Sequence, residues 1–245
     1  MATFVLVPGA WLGGWAWRDV TRELRRRGHD VYPVTLTGLG ERVHLARPEV
    51  DLETHIADVV NLLAYENLTN VVLAGHSYAG SVITGVADRA PERLAQLVYV
   101  DSAPLADGQT MLELNGPEGS AALEKTVAEQ GAGWQWPLPP FALLAEGASL
   151  DGLNETARAR IVARATPHPF ATYRQPLRLA NPDGGNYQRA VIACDDVRNL
   201  IAAGIPPLVA LTQPPWRYEE LHTGHWPMFS MPDELAALLD RIATE

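Results

Sequence analysis

The 245-residue chain has a single cysteine, Cys194, so no disulfide can form within it and a reducing compartment is expected. Cations are scarce as well: 19 Lys and Arg stand against 29 Asp and Glu, a formal net charge of −10. Nucleic acid is therefore not an expected partner, because binding phosphates needs clustered Lys and Arg. The one basic run, Arg25-Arg26-Arg27, ends an expected helix, where positive charge suits the dipole, and reads as a solvated terminus. Long apolar runs are missing too. "FVLVPGAW" is too short and too rich in Gly and Pro for a signal peptide or a membrane span, and no cationic stretch precedes it. A cytoplasmic protein with no membrane partner is the expectation.

What is present is an ordinary globular composition, 47% hydrophobic and 20% charged, at a length that suits one α/β domain with a substantial core. No internal repeat or low-complexity segment interrupts it. "TFVLVPG", "HDVYPVTL", "NVVLAG" and "LAQLVYVD" read as strands. Between them, helices are expected from about Trp15 to Arg27, from Leu52 after an Asp51 cap, and from Ser77 to about Arg89. Apolar strands alternating with helices imply a parallel sheet covered on both faces. From about Pro104 to Tyr187 the rhythm breaks, with helical stretches and the proline-rich "GWQWPLPPF" but no clear strand. It returns with "YQRAVIAC", the helix "VRNLIAAG", the strand "WRYEEL" and the helix "DELAALLDRIA". The expected organisation is one α/β core, 1–103 and 188–245, with a helical cap, 104–187, inserted into it.

In a parallel sheet the functional face lies at the carboxyl ends of the strands. There "VVLAGHSYAGSVITG" places Ser77 between a buried strand and a helix, the setting of a G-x-S-x-G nucleophile elbow, with Ala79 where the second glycine would stand. Alanine adds one methyl and Gly80 follows at once, so the tight turn stays feasible. A serine in such a turn could equally be a helix cap. A partner decides between these roles, because a hydroxyl needs a base to become a nucleophile. His225, in the loop Thr223-Gly224-His225 after the last strand, is the base expected on the same sheet edge. His29, His44, His55, His76, His168 and His222 have weaker claims by position. Two backbone donors for an oxyanion are expected, from Tyr78 after the nucleophile and from Ala10 in the loop after the first strand, where Gly9 permits close approach.

"VPGAWLGGWAW", "TLTGLGERVHL", "AGHSYAG" and "TGHWPMFSMPDEL" resemble the α/β-hydrolase superfamily, and within it the compact bacterial esterases related to plant methylesterases and hydroxynitrile lyases. The resemblance covers the chain outside the cap. It implies a Ser-His-acid hydrolase with no metal and no organic cofactor. Pro8, where the family often has histidine, and Ala79 depart from the pattern. Pro8 lacks an N–H, but the donor in question lies two residues on. Trp226 follows the histidine where the lyase branch resembled here has a cyanide-binding lysine, and Ser77 stands where haloalkane chemistry uses aspartate. Ester hydrolysis is what remains.

The acid has two candidate places. In the family it usually follows the strand before the one leading to histidine, here Asp195 and Asp196. Those two could instead cap the helix that begins at once. Asp101, ending "LVYVD", is the alternative that some superfamily members use; its other role would be a turn residue in "DSAP". Loop length favours Asp101 over Asp196. Trp11, Trp134, Trp136, Trp226 and Met228 are expected to wall an apolar pocket for a small or aromatic hydrophobic ester, although each could equally be core. The same machinery would serve a thioester or lactone, and the fold also hosts ligand-binding members that turn over slowly. A small-molecule ester is the expected partner, and a homodimer is kept open beside it.

Overall fold

The computed structural model describes residues 1–181 and 185–245. In chain order its elements are β1 (Thr3–Val7), α1 (Arg18–Arg26), β2 (Asp30–Pro33), α2 (Leu52–Tyr65), β3 (Val71–His76), α3 (Ala79–Arg89) and β4 (Leu94–Val100). Then come α4 (Gly116–Gln130), β5 (Gln135–Trp136), α5 (Phe141–Leu144), α6 (Glu155–Arg164), β6 (His168–Pro169) and α7 (Ala171–Arg174). The chain closes with β7 (Gln188–Ala193), α8 (Asp195–Ala202), α9 (Pro206–Val209), β8 (Trp216–Glu220), α10 (Pro227–Ser230) and α11 (Pro232–Thr244).

Six strands pair in parallel in the order β2-β1-β3-β4-β7-β8. The strands are apolar throughout because both faces are buried, and alternation sorts their side chains. Phe4, Leu6, Val72, Ala74, Val98 and Val100 enter the cluster beneath α1 and α11. Val5, Val7, Leu73, Leu97 and Tyr99 enter the opposite cluster with α2 and α3. The chain leaves β1 for β2 on one side and returns to β3 on the other, so the carboxyl ends of β1 and β3 frame a topological switch point, where open α/β sheets bind ligands.

Three local expectations differ from what is observed. The first helix opens with a 3-10 turn at Gly14–Trp17 before α1. The helix after β3 begins at Ala79, not Ser77, because Ser77 has φ +53°. The stretch 104–187 does contain strands: β5 and β6, two residues each, pair antiparallel, and they are too short to leave a periodic signal. Among the described residues, no helix is long and apolar enough to cross a membrane.

Candidate active site

Ser77 sits at the tip of a turn that the local sequence makes unusually tight. Its φ of +53° is uncommon for a residue with a Cβ and exposes the hydroxyl at the end of β3. The turn is pinned on both sides: the Ser77 N–H donates to the Val100 carbonyl (3.2 Å), and its own carbonyl accepts from Gly80 N–H (2.9 Å) and Ser102 Oγ (2.6 Å). The positions needing glycine are 75 and 80. A Cβ at Gly75 would lie 2.8 Å from Ile83 Cγ2 and 2.9 Å from the Ala79 carbonyl. At Gly80 it would collide with Ser102 Oγ and lie 2.7 Å from the Ala103 carbonyl. Ala79 is fully buried and packs in the α2/α3 cluster. The steric constraint assigned by pattern to residue 79 is carried by residue 80.

His225 reaches Ser77 from the loop after β8. Its Nε2 lies 2.8 Å from Ser77 Oγ. Its backbone is held by a bond from its N–H to the Ser149 carbonyl (2.8 Å) and by His76, whose Nε2–H donates to the His225 carbonyl (2.6 Å). Gly224 allows this, since a Cβ there would lie 2.5 Å from the Ser149 carbonyl and 2.6 Å from the Asp151 N. Burial keeps His76 well below the usual imidazole range, aided by the nearby His225 charge, so it remains a neutral donor.

Both candidate carboxylates arrive at the other ring nitrogen. Asp101 Oδ2 lies 2.7 Å from His225 Nδ1, and Asp196 Oδ2 lies 3.0 Å from the same atom. Asp101 follows β4 with φ +42° and is buried; its Oδ1 accepts from the N–H groups of Cys194 (3.0 Å) and Val197 (3.1 Å) at the start of α8. A carboxylate from another strand thus caps this helix, where the dipole favours negative charge. Asp196 is partly exposed, and its Oδ1 accepts from Ser149 N–H (2.8 Å). Asp195 points elsewhere, to Ser149 Oγ (3.0 Å) and Arg198 (3.2 Å). Burial opposes charge on His225, but its hydrogen bonds to Asp101 and Asp196 outweigh it and push the imidazole up to about 9.

The loop after β1 passes against Ser77. A Cβ at Gly9 would lie 2.7 Å from His76 Nδ1 and 3.1 Å from Ser77 Cβ, so glycine is required there for close approach. Among the described residues, the N–H groups of Ala10 and Tyr78 donate to no protein acceptor. Ser77, Ala10 and His225 open onto a cavity of about 420 Å³ whose walls include Trp11, Leu123, Trp136, Leu144, Tyr173 and Trp226. Asn115 and Thr126 add polar groups, and no Lys or Arg stands among the described residues lining it. Two expected wall residues are elsewhere. Met228, in α10, is turned into the core with Leu12 and Leu235. Trp134 faces a separate surface cleft with Arg174 and Gln175. Spacing along a loop does not reveal which side of it meets the cavity.

Tyr173, Leu123 and Ser149 are not marked in the sequence: Tyr173 lies in the one-turn helix α7, Ser149 lies outside any helix or strand, and Leu123 lies on α4, where sequence does not say which face meets the cavity. Asp101, Asp196 and His225 also cluster closely enough to hold a cation, but the two carboxylates are already engaged by backbone N–H groups and the imidazole. Their arrangement fits proton handling better than metal ligation.

A model of the alpha/beta hydrolase family matches residues 4–238. A carbendazim hydrolyzing esterase from Nocardioides sp. (strain SG-4G) is 37% identical over 247 residues, covering 98% of both proteins. Putative methylesterase 14, chloroplastic, from Arabidopsis thaliana is 28% identical, across 98% of this chain and 71% of that protein. Among solved structures, an extracellular alpha/beta-hydrolase from a Paenibacillus species superposes over the whole of both chains with a TM-score of 0.85 at 24% identity. Tomato methylketone synthase I complexed with 2-tridecanone gives 0.76 at 21%, over 99% of this chain and 97% of that one. At such identities the superpositions attest the fold.

Proposed function

The chain belongs to the alpha/beta hydrolase family, and on that footing we propose that it is a serine esterase cleaving a small or aromatic hydrophobic carboxylic ester through an acyl-enzyme on Ser77. The observation that carries this is the unbroken relay from Ser77 Oγ to His225 Nε2 (2.8 Å) and from His225 Nδ1 to Asp101 (2.7 Å). With Nδ1–H donated to the carboxylates, Nε2 is the acceptor that the Ser77 hydroxyl needs. His225 removes the Ser77 proton as Oγ attacks the ester carbonyl carbon. The N–H groups of Ala10 and Tyr78 receive the oxyanion. The imidazolium then protonates the leaving alkoxide oxygen, the C–O bond breaks, and the alcohol departs. Water, deprotonated by the same nitrogen, attacks the acyl carbon; collapse releases the acid and returns the proton to Ser77.

Asp101 is the acid in this scheme, by its shorter distance and complete burial. The described residues of the stretch 104–187 act as a cap over the reacting groups and supply most of the apolar wall. That lining, without a cation and with Asp196 at its edge, suits a neutral ester better than one bearing a free carboxylate. Stopped-flow hydrolysis of p-nitrophenyl acetate and butyrate tests the scheme. Wild type should release a p-nitrophenol burst matching enzyme concentration, and Ser77→Ala none. Equal slow rates in both proteins, without a burst, would overturn it.

A further inference from the structure

Trp11 carries φ +64°, a conformation that a residue with a Cβ keeps only where its surroundings over-determine it. Three bonds do so here. Its N–H donates to His168 Nδ1 (3.3 Å), its carbonyl accepts from Thr166 N–H (3.0 Å), and its indole N–H donates to the Trp136 carbonyl (3.0 Å). All three partners lie in the stretch between β4 and β7. We propose that His168 is a positioning residue: it holds the Gly9–Trp11 loop so that the neighbouring Ala10 N–H is ready for the oxyanion. This rests on Ala10 being an oxyanion donor for Ser77.

The hydrogen bonds determine the tautomer. Thr172 Oγ1 donates to the Pro169 carbonyl (2.7 Å), so it can only accept from His168 Nε2–H (2.9 Å). His168 Nδ1 is thereby left as a lone-pair acceptor for Trp11 N–H. Burial, with the His55 imidazole 5.8 Å away, keeps His168 well below the usual range and therefore neutral. The other donor limb is built in the same way. His55 Nε2–H donates to the Thr37 carbonyl (2.8 Å), which leaves its Nδ1 to accept from the Tyr78 hydroxyl (2.9 Å). The Tyr78 ring meets His168 edge-on at 4.7 Å. Two buried neutral imidazoles thus anchor Trp11, which follows one donor, and the side chain of Tyr78, which carries the other, and one of them comes from the inserted stretch. Nothing in the reaction scheme otherwise uses these rings.

His168→Ala and His168→Asn, assayed on p-nitrophenyl butyrate and against a trifluoromethyl ketone whose Ser77 adduct bears the oxyanion, test the proposal. Asparagine matters because its Oδ1 can stand where Nδ1 accepts. His168→Ala should lose about 10²-fold in kcat with KM changed less than about twofold, since a misplaced donor is felt only in the transition state. Its Ki for the ketone should rise in parallel, and His168→Asn should recover most of both losses. Unchanged kcat and Ki, a loss confined to KM, or an asparagine no better than alanine overturns the proposal. If His168→Ala does not fold, Thr172→Val, which frees the tautomer, should lower kcat at constant KM; no change there overturns it equally. Wild type with its Ser77→Ala control runs alongside. A wild type without a burst removes the esterase reading and this inference together. A bursting wild type with an unaffected His168→Ala removes the inference alone.

Discussion

His225 offers one Nδ1–H to two carboxylates, and their roles differ by environment. Asp101 is buried, held by two backbone N–H groups and closer; Asp196 is partly exposed and farther. Asp101→Asn keeps an acceptor for α8 but turns an amide N–H toward the ring, which favours the wrong tautomer. Its kcat should fall on the order of 10³- to 10⁴-fold. Asp196→Asn leaves Asp101 to orient the ring, so kcat should fall less than about tenfold. The charge balance shifts in the opposite sense. Two carboxylates hold His225 at about 9, so the neutral base becomes more abundant as pH rises toward that value. kcat/KM should climb through an alkaline limb in wild type, and Asp196→Asn should move that limb to lower pH. An unmoved limb would mean that Asp196 contributes nothing to the imidazole's charge.

At the scale of the element, the turn from β3 into α3 is what presents the Ser77 hydroxyl. Four consecutive apolar residues, Val71 to Ala74, drive a buried strand into Gly75, and the chain must reverse before Ala79 starts the helix. The motif's second glycine is dispensable because the crowding comes from Ser102 and Ala103, which face residue 80. Gly80→Ala should displace Ser102, break its bond to the Ser77 carbonyl and lower kcat at least about tenfold, a mis-set turn being felt at the reacting centre. Ala79→Gly restores the textual consensus yet should leave kcat within about twofold and cost ~1 kcal/mol in urea unfolding, since glycine is the poorer helix former. Equal effects of the two substitutions would contradict this account of the elbow.

The whole molecule buries histidines with opposite needs. His55 is pushed down to about 4, by desolvation above all, so the native state resists a proton that the unfolded chain accepts near 6.5. The unfolded state binds more protons in that interval, and stability must fall as pH drops from about 6.5 to about 4, by up to ~3 kcal/mol from His55. His225 acts in reverse. Its raised value gives stability present below about 6.5 and lost as pH climbs through about 9. Urea melts across this range should show a maximum near neutrality, and His55→Gln should make the acid side shallower while buried His76 and His168 keep the rest of the slope. A monotonic profile in wild type would mean that the buried histidines do not dominate the linkage.

The parallel sheet, the order of its strands along the chain, the elbow at Ser77 and the His225 loop were legible in sequence. Each is written in short-range signals: continuous apolar runs for strands buried on both faces, small residues around a tight turn, a histidine just beyond a strand end. What needed the tertiary structure was every choice among residues distant in sequence. Asp101 and Asp196 are 95 positions apart, and only the pairing of β4 beside β7 brings both to one imidazole. Trp136 and Trp134 differ by two positions, yet one lines the cavity and the other an outer cleft. His168 has no strong claim by position in the sequence, and only folding sets it against Trp11, 157 residues away. Local chemistry writes elements and turns because their interactions span a few residues; partners across the sheet are decided by burial and close packing, which no single stretch of sequence contains.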